Sequence, residues 1–554
     1  MATKNTLYYG DNLDILRHYV VDESVDLVYL DPPFNSNANY NVLFDEKDGR
    51  QAAAQIQAFE DTWKWDEAAA RQFHETVEAG GRVADVLLAF QRFLGTNDML
   101  AYLAMMAPRL VELRRCLKET GSLYLHCDPT ASHYLKLLLD AVFGPGMFRS
   151  EIVWKRSSAH SDTKQGRKLH GHIHDVLLFY TKSDEWTWNP KYTPYDQEYV
   201  DAFYKYVEEE TGRRYRLDNL TAAKPGGDVS YDFYGTKPYK GRYWAYSREN
   251  MEKFKAEGRL YFPKNGGTPS YKRYLDEMPG VPLQDVWTDI RPIASQAGER
   301  LGYPTQKPVA LLERVIECSS NTGDVVLDPF CGCGTTIEAA QRLGRTWIGI
   351  DVTYLAISLI KTRLRDAFGD IAQFDVVGEP TTIEDAAVLA ASDKFQFQLW
   401  ALDLVGARRG DEKKGADRGI DGRLYFHEGS GETKQIIISV KGGKLKATDV
   451  RDLRGVVERE KAEIGVLISF EQPTKAMRQE AASAGFHKSP KGDHPRVQLL
   501  TVEELLGGKQ IDYWRTDRAN LTYKVAPRIG EKVAEHPDLF NDADKPRPER
   551  KKRK

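Results

Sequence analysis

The 554-residue sequence contains only five cysteines, too irregularly spaced for a disulfide framework or a zinc site: Cys116, Cys127, Cys318, Cys331 and Cys333. It lacks any run of about eighteen apolar residues, the length that a membrane-spanning helix requires. Its first residues, MATKNTLYYGDN, contain no apolar segment typical of a secretory signal peptide. These absences argue against a disulfide-stabilised secreted domain and an integral membrane protein, and they predict a cytoplasmic location.

Neither sign of charge is in large excess. Lysine and arginine number 78 and aspartate and glutamate 81, which gives a net charge of −3. Any surface that binds nucleic acid must therefore be a local patch rather than a property of the whole molecule. Apolar residues make up 41% and charged residues 29%, which is ordinary for a globular protein, and the length predicts several domains.

Strand and helix patterns alternate in two separate parts of the chain, residues 1–185 and 301–377. VDLVYL and GSLYLHCD have the apolar character of buried strands, whereas NDMLAYLAMMAPRLVELRRCLK has helical periodicity. The alternation returns with the strand DVVLDPF, the helix TIEAAQRLG and the strand TWIGIDV. Strands separated by helices predict an α/β fold with an open, mostly parallel sheet.

Residues 186–300 interrupt this alternation. Of the 28 tyrosines, 14 lie between Tyr192 and Tyr274, among glycine, proline, lysine and arginine. We predict an inserted domain here, whose tyrosines either form a small core or contact a ligand. A polar stretch near 378–393 separates a third, smaller α/β block at 394–510, and residues 511–554 form a C-terminal extension with the basic tail DKPRPERKKRK.

The segment LDPFCGCGTT, residues 327–336, lies between a strand and a helix, where open α/β sheets bind their ligands. Gly332 and Gly334 lack a Cβ, so a ligand can approach the backbone closely. Asp351 ends the next strand, where a carboxylate can accept hydrogen bonds from ribose hydroxyls. Because Ile337 stands where a dinucleotide fingerprint needs its third glycine, a nucleoside cofactor without phosphates, such as S-adenosylmethionine, fits better. The remaining alternative is a tight turn without a ligand.

The segment VDLVYLDPPF, residues 25–34, ends a buried strand on a carboxylate and a rigid elbow. Pro32 and Pro33 have restricted φ, and a residue before proline favours extended geometry, so the elbow is preorganised. The amine of adenine or cytosine is a poor nucleophile because its lone pair is delocalised into the ring. The Asp31 carboxylate and the Pro32 carbonyl could accept both of its N–H groups, and Phe34 could stack on a flipped base. The alternative is a strand end followed by a proline-stiffened loop.

The order of these motifs resembles that of the beta class of S-adenosylmethionine-dependent DNA amino-methyltransferases. YYGDNLDIL and DPPF come first, the aromatic insert follows, and GYPTQKP and DPFCGCGTT come last. The resemblance covers about residues 5–375 apart from the insert. It implies a Rossmann-like methyltransferase sheet, divided into a catalytic half and a cofactor-binding half, with the insert as the target-recognition domain.

The resemblance also implies a role for each residue that matches a family motif. Asp31, Pro32, Pro33 and Phe34 match the catalytic tetrapeptide. The implied cofactor-binding residues are Asp11 near the adenine, Thr305, Gln306, Lys307 and Pro308 at the methionine end, Asp328, Phe330, Gly332 and Gly334 in the cofactor loop, and Asp351 at the ribose.

The family implies double-stranded DNA as the substrate, with the target base flipped into a pocket, and a restriction-modification system as the setting. Partners would be a second copy of the chain or other restriction-modification subunits. An initial aspartate in the tetrapeptide favours the N6 of adenine as the target. Serine is more common there in N4-cytosine enzymes, so cytosine is the alternative.

The third block resembles the PD-(D/E)xK restriction-endonuclease fold of the Mrr-like type, through GADRGIDGRLYF and KQIIISVKGG. The resemblance implies that Asp421 is the first metal-binding acid, for Mg²⁺, and that Lys441 is the lysine that positions the attacking water. Ser439 replaces the usual second acid, although Asp417 or Asp403 could compensate. The sequence therefore leaves open a bifunctional enzyme that also cleaves DNA, or a nuclease-like domain that only binds DNA or supports folding.

Overall fold

The structure, a computed structural model, describes most of the chain, and the regions it covers divide into two compact units, residues 1–189 with 285–554 and residues 190–284. None of the helices in these regions is long and apolar enough to cross a membrane. The described residues are 4–33, 39–45, 51–60, 64–157, 168, 170–224, 230–264, 266–294, 297, 299–301, 303, 305–409, 419–428 and 433–514.

The first part of the chain alternates strands and helices, as the sequence predicts. In chain order its elements are β1 (Thr6–Tyr9), α1 (Asn12–Tyr19), β2 (Val25–Leu30), β3 (Asn39–Asp45), β4 (Gln51–Glu60), α2 (Glu67–Glu78), α3 (Gly81–Leu94), α4 (Asp98–Cys116), β5 (Leu117–Cys127), α5 (Pro129–Phe143), β6 (Phe148–Lys155) and β7 (His174–Thr181).

The inserted unit has short elements and a core rich in aromatic residues. Leu220, Phe233, Trp244, Met251 and Leu260 form the buried centre, and tyrosines pack around it. Tyr192, Tyr206, Tyr234, Tyr239 and Tyr261 are instead exposed, so the tyrosines serve both as core and as surface. Its elements are β8 (Tyr192–Thr193), α6 (Gln197–Phe203), β9 (Tyr206–Val207), β10 (Arg214–Asn219), β11 (Thr221–Ala222), β12 (Tyr243–Trp244), α7 (Arg248–Ala256), β13 (Leu260–Tyr261), β14 (Ser270–Tyr274) and β15 (Val281–Pro282).

After the insert the α/β alternation resumes and continues to the end of the described chain. The elements are β16 (Val286–Trp287), α8 (Val309–Ser319), β17 (Val325–Asp328), α9 (Thr335–Arg342), β18 (Thr346–Asp351), α10 (Tyr354–Phe368), β19 (Asp375–Val377), α11 (Ile383–Ser392), α12 (Lys394–Leu404), β20 (Arg408–Arg409), β21 (Gly422–His427), β22 (Thr433–Lys441), α13 (Ala447–Arg459), β23 (Ile464–Ser469), α14 (Lys475–Ser483), β24 (Phe486–Ser489), β25 (Gly492–Pro495), β26 (Val497–Thr501) and α15 (Val502–Leu506).

One nine-stranded sheet organises the larger unit, with the order β16-β6-β7-β5-β2-β17-β18-β1-β19. Only β7 runs antiparallel to its neighbours; every other adjacent pair in this sheet is parallel. This confirms the predicted Rossmann-like, mostly parallel sheet. Because β1, β2, β17 and β18 are parallel and adjacent, their carboxyl ends meet at one edge.

The predicted strand VDLVYL is buried at every position, including its acid. Asp26 accepts hydrogen bonds from Lys118 Nζ at 2.7 and 2.8 Å and from the Val325 backbone N–H at 2.9 Å. A buried carboxylate needs such partners, because an unpaired charge in the core would be strongly destabilising. The strand that precedes the predicted elbow is therefore tied on both sides to its neighbours in the sheet.

The third block forms the predicted second α/β domain, a five-stranded sheet with the order β20-β21-β22-β23-β26. Its core continues into the first domain, because Phe397 and Trp400 of α12 share a hydrophobic cluster with Tyr354 and Leu359 of α10. The prediction that residues near 378–393 form a polar separator is wrong. They contain α11, capped by Thr382, whose small apolar residues at i and i+4, Ala386 and Ala390, are buried in the same cluster.

Candidate active site

Three acids that the sequence singles out lie at the carboxyl edge of the nine-stranded sheet. Asp31 directly follows β2, Asp328 is the last residue of β17, and Asp351 is the last residue of β18. β17 pairs in parallel with both β2 and β18, so the three strands deliver their acids to the same side. All three acids line one cavity.

The same cavity brings together most of the predicted site residues. Pro308 and Gly334 are not among the described residues that line it; they precede the first residues of α8 and α9 as N-caps. Phe34 lies outside the described residues, so its stacking role stays a prediction. The predicted residues that line the cavity are Asp11, Asp31, Pro32, Pro33, Thr305, Gln306, Lys307, Asp328, Phe330, Gly332 and Asp351.

The two glycines of the turn have different neighbours. Gly332 and Gly334 both have positive φ, at 49° and 77°, which favours glycine. A Cβ on Gly332 would lie 3.3 Å from the Tyr303 ring, whereas one on Gly334 would lie 2.6 Å from Ile360 of α10. Gly332 therefore lies on the cavity wall, whereas Gly334 permits close packing of the turn against α10, and the cofactor-binding role of both glycines stays a prediction.

Asp351 is held in place by the loop that it faces. Its Oδ2 accepts a hydrogen bond from the Gly332 backbone N–H at 2.9 Å, and its Oδ1 accepts two at 2.8 Å, from the backbone N–H and the hydroxyl of Thr353. Burial nevertheless raises the pKa of the Asp351 carboxyl. Because an oxygen can accept two hydrogen bonds, Oδ2 keeps capacity for a ligand hydroxyl.

Asp328 is the most deeply buried of the three acids, at 2% exposure. Burial raises its pKa to about 7, against the opposing effect of hydrogen bonds from Thr336 and from the Phe330 backbone N–H, and the charges of Asp31 and Asp351 raise it further. A carboxyl with this pKa is only partly ionised at neutral pH. A cation placed in the cavity would favour its ionised form.

Asp11, an exposed residue, is bound by a buried arginine that the sequence did not single out. Arg109 of α4 donates to Asp11 Oδ2 at 2.8 Å, to Asn12 Oδ1 at 2.5 Å and to the Met105 carbonyl at 2.8 Å. Asn12 in turn donates to the Pro329 carbonyl at 2.8 Å, within the glycine-turn segment. A lone arginine in the apolar run AYLAMMAPRL was the available signal, because a buried arginine requires acceptors.

The predicted catalytic carboxylate is paired with a residue from the other half of the site. Lys307 Nζ lies 2.5 Å from Asp31 Oδ2, and the two side chains are exposed by only 11% and 16%. Both lie on the cavity. The sequence analysis placed Lys307 at the cofactor, and no pattern indicated that it would contact Asp31.

Behind Asp31, a buried hydrogen-bonded chain begins at the cavity wall. Tyr29 Oη lies 2.8 Å from His126 Nδ1, and His126 Nε2 lies 3.2 Å from Asp175 Oδ2. Arg156 forms an ion pair at the end of the chain, with its Nε 3.1 Å from Asp175 Oδ1. His126 therefore bridges the Tyr29 hydroxyl and the Asp175 carboxylate through its two ring nitrogens. A polar histidine inside the apolar strand GSLYLHCD was the signal that sequence reasoning missed.

In the second domain, two of the predicted nuclease-like residues, Asp421 and Ser439, meet, but they do not form a metal site. Asp421 Oδ2 accepts hydrogen bonds from the Val440 backbone N–H at 2.6 Å and from the Ser439 hydroxyl at 3.1 Å, and Oδ1 accepts one from Gln398 at 3.1 Å. Ser439 thus donates to the acid instead of adding a second anionic ligand. Lys441 Nζ lies 4.0 Å from Asp449.

Of the two acids that could compensate, Asp403 does not supply the missing ligand. Asp417 lies outside the described residues, and Asp403 instead accepts hydrogen bonds from Ser358 and, at 2.8 Å, from Lys361. Among the residues that the structure describes, no group of three or more histidine, cysteine or acidic side chains could hold a metal ion. The donors around Asp421 do not fit a divalent cation, which needs several oxygen ligands.

Two families match the two domains. A family described as DNA methylase matches residues 25–361, more than half of the chain. A family described as NACHT-associated inactive restriction endonuclease matches residues 395–507, the block whose acid is already hydrogen-bonded by Ser439.

Three individual relatives are also similar to this chain. The type II methyltransferase M.EcaI of Enterobacter cloacae is 32% identical over 55% of this chain and 66% of its own length. The StyLTI Mod subunit, a type III restriction-modification protein of Salmonella typhimurium, is 29% identical over 61% of this chain and 50% of its own length. The DNA adenine methyltransferase YhdJ of Escherichia coli is 25% identical over 65% of this chain and 82% of its own length. The chain thus spans between half and two thirds of the first two relatives.

Proposed function

We propose, from the premise that this chain belongs to the DNA methylase family, that it transfers a methyl group from S-adenosylmethionine to the N6 of adenine in DNA. One observation carries the proposal. The acid of the proline elbow and the acids at the glycine turn meet on one cavity, although they come from the two halves of a sheet that the insert divides in the sequence.

The residues around the cavity suit S-adenosylmethionine. Asp351 keeps an acceptor position for a ribose hydroxyl beside the Gly332 turn, and Asp11, fixed by Arg109, borders the same cavity. When bound, the cofactor supplies a methyl group on a positively charged sulfonium. The carboxylates of Asp31 and Asp328 give the cavity the negative charge that such a cation requires.

Asp31 is the catalytic residue in this proposal. Its carboxylate accepts a hydrogen bond from the exocyclic amine of a flipped base and takes up the proton that the amine loses on methylation. Pro32 and Pro33 fix the elbow, so the carboxylate is preorganised. Adenine is favoured because an aspartate begins the tetrapeptide and because one relative is named a DNA adenine methyltransferase. N4-cytosine is the second candidate.

We propose a non-cleaving role for the second domain, in place of the bifunctional enzyme that the sequence left open. The hydrogen bonds that occupy Asp421 support this proposal, as does the match to a family described as inactive. The partners we propose are double-stranded DNA, since the family is described as DNA methylase, and other components of a restriction-modification system, since one relative is named a subunit of such an enzyme.

Expression in a host without DNA methylation, followed by single-molecule sequencing of its genome, tests the proposal. We expect N6-methyladenine at one defined sequence with the wild-type chain and none with Asp31→Ala, which still binds S-adenosylmethionine. Asp85→Ala is a matched control, because Asp85 is exposed on α3 away from the cavity. Methylation by Asp31→Ala at the wild-type level would refute the assignment, and N4-methylcytosine in its place would establish the second candidate.

A further inference from the structure

The ion pair between Asp31 and Lys307 lies where a base amine has to bind. It is largely shielded from water, and opposite charges attract more strongly there than on an exposed surface. The ammonium uses a lone pair of Asp31 Oδ2 at 2.5 Å, so it competes with a base amine for the same carboxylate oxygen. Anything that draws Lys307 away would make Asp31 a better acceptor.

The cavity offers little positive charge to an anionic ligand group. Among the described residues that line it, the cationic side chains are Arg109 and Lys307. Arg109 is 4% exposed and is held by three hydrogen bonds to Asp11, Asn12 and Met105. Lys307 has three N–H donors on a flexible stem, so it can contact a second anion while it remains near Asp31.

S-adenosylmethionine carries one anionic group, the carboxylate of its amino-acid part. On the basis of the proposed function, we propose that Lys307 is a positioning residue shared between Asp31 and that carboxylate. When the Lys307 ammonium donates a hydrogen bond to the donor's carboxylate, its contact with Asp31 weakens. Asp31 Oδ2 can then accept a hydrogen bond from the base amine. Binding of the methyl donor thereby prepares the acid that holds the target base, which favours entry of the donor before the base.

The charge of Lys307 also acts on a second acid, Asp175. Burial opposes ionisation of Asp175, but the hydrogen bond from His126 and the charges of His126, Lys307 and Arg156 lower its pKa below its usual value. Lys307 therefore lies within electrostatic reach of two carboxylates, Asp31 on the cavity and Asp175 behind it. A partial loss of contact with Asp31 leaves the ammonium stabilised by Asp175.

A double-mutant cycle on Lys307 and Asp31, measured without DNA, tests whether Lys307 is shared between Asp31 and the donor's carboxylate. Two probes differ in the amino-acid part: S-adenosylhomocysteine has the carboxylate, and 5′-methylthioadenosine lacks it. Both probes have an uncharged sulfur, so attraction between a sulfonium and Asp31 does not contribute to either measured affinity. Calorimetry would measure the affinity of both probes for the full-length wild type, Lys307→Met, Asp31→Asn and the double variant, with Lys307→Arg as the charge-conserving control.

We expect Lys307→Met to weaken S-adenosylhomocysteine binding by about tenfold or more and Lys307→Arg to weaken it less, with methylthioadenosine little changed. Asp31→Asn, which removes the ion pair with the ammonium, should strengthen S-adenosylhomocysteine binding about threefold or more, but only when Lys307 is present. An equal loss of both probes in Lys307→Met, or the same effect of Asp31→Asn with and without Lys307, would refute the sharing. If the wild type binds neither probe nor S-adenosylmethionine, the proposed function itself fails.

Discussion

The raised pKa of Asp328 predicts that the affinity for the proposed methyl donor depends on pH in a range that is easily measured. Burial raises its pKa to about 7, so the ionised fraction rises from about one tenth at pH 6 to about nine tenths at pH 8. A cationic donor favours the ionised form, whereas the neutral product S-adenosylhomocysteine gains much less from it. The affinity for S-adenosylmethionine should therefore be lost as the pH falls through about 7, by about tenfold between pH 8 and pH 6.

Calorimetry at pH 6, 7 and 8, in buffers with different heats of ionisation, measures both the affinity and the protons released on binding. Wild-type protein should release protons below pH 7 on binding S-adenosylmethionine. Asp328→Asn, which has nearly the same shape but cannot ionise, should remove that release and flatten the profile. A wild-type affinity that stays constant from pH 6 to pH 8, or a pH dependence that survives in Asp328→Asn, would refute the reasoning.

Three further variants test other contacts. Tyr29→Phe should lower the free energy of unfolding by about 1–3 kcal/mol, seen as a lower melting temperature, because buried His126 Nδ1 loses its hydrogen-bond partner. An unchanged melting temperature would contradict the chain described above. Magnesium titration should give the same heats for the wild type and Asp421→Asn, and a wild-type-specific binding isotherm would show that the domain does hold a metal ion. Gly334→Ala should also melt at a lower temperature, because its Cβ would lie 2.6 Å from Ile360 and the φ of 77° disfavours a side chain. Gly443→Ala is the control and should melt at the wild-type temperature, because its Cβ would contact nothing within 4 Å.

Local sequence patterns predicted most of the strands and helices of the fold. VDLVYL, GSLYLHCD and TWIGIDV are apolar strands between periodic helices, and the structure places them as β2, β5 and β18 of one sheet. The prediction of a polar separator near 378–393 was wrong because acids and threonines precede a short run rich in alanine. Two alanines of this run are buried on one face of α11. A boundary judged from average polarity cannot detect a helix whose buried surface consists of two small residues.

The residues of the candidate site that belong to a continuous motif were predictable from the sequence. The contacts between residues that are distant in the sequence were not. Asp31, Asp328 and Asp351 each end a recognisable strand, so their place at one edge follows from a parallel sheet. The contact of Lys307 with Asp31 spans 276 positions, and that of Arg109 with Asp11 spans 98. Such pairs depend on how the two halves of the sheet meet, which no single motif encodes.

The second domain has a structural role that does not require cleavage. Its helix α12 packs against α10, the helix that begins three residues after Asp351. Gln396 accepts a hydrogen bond from the Tyr354 backbone N–H at 2.9 Å, and Asp403 binds Lys361 at 2.8 Å. Because Ile360 of the same helix packs against Gly334, α10 links the second domain to the glycine turn. The second domain thus buries and fixes the helix behind the glycine turn, a role that does not depend on a second acid at position 439.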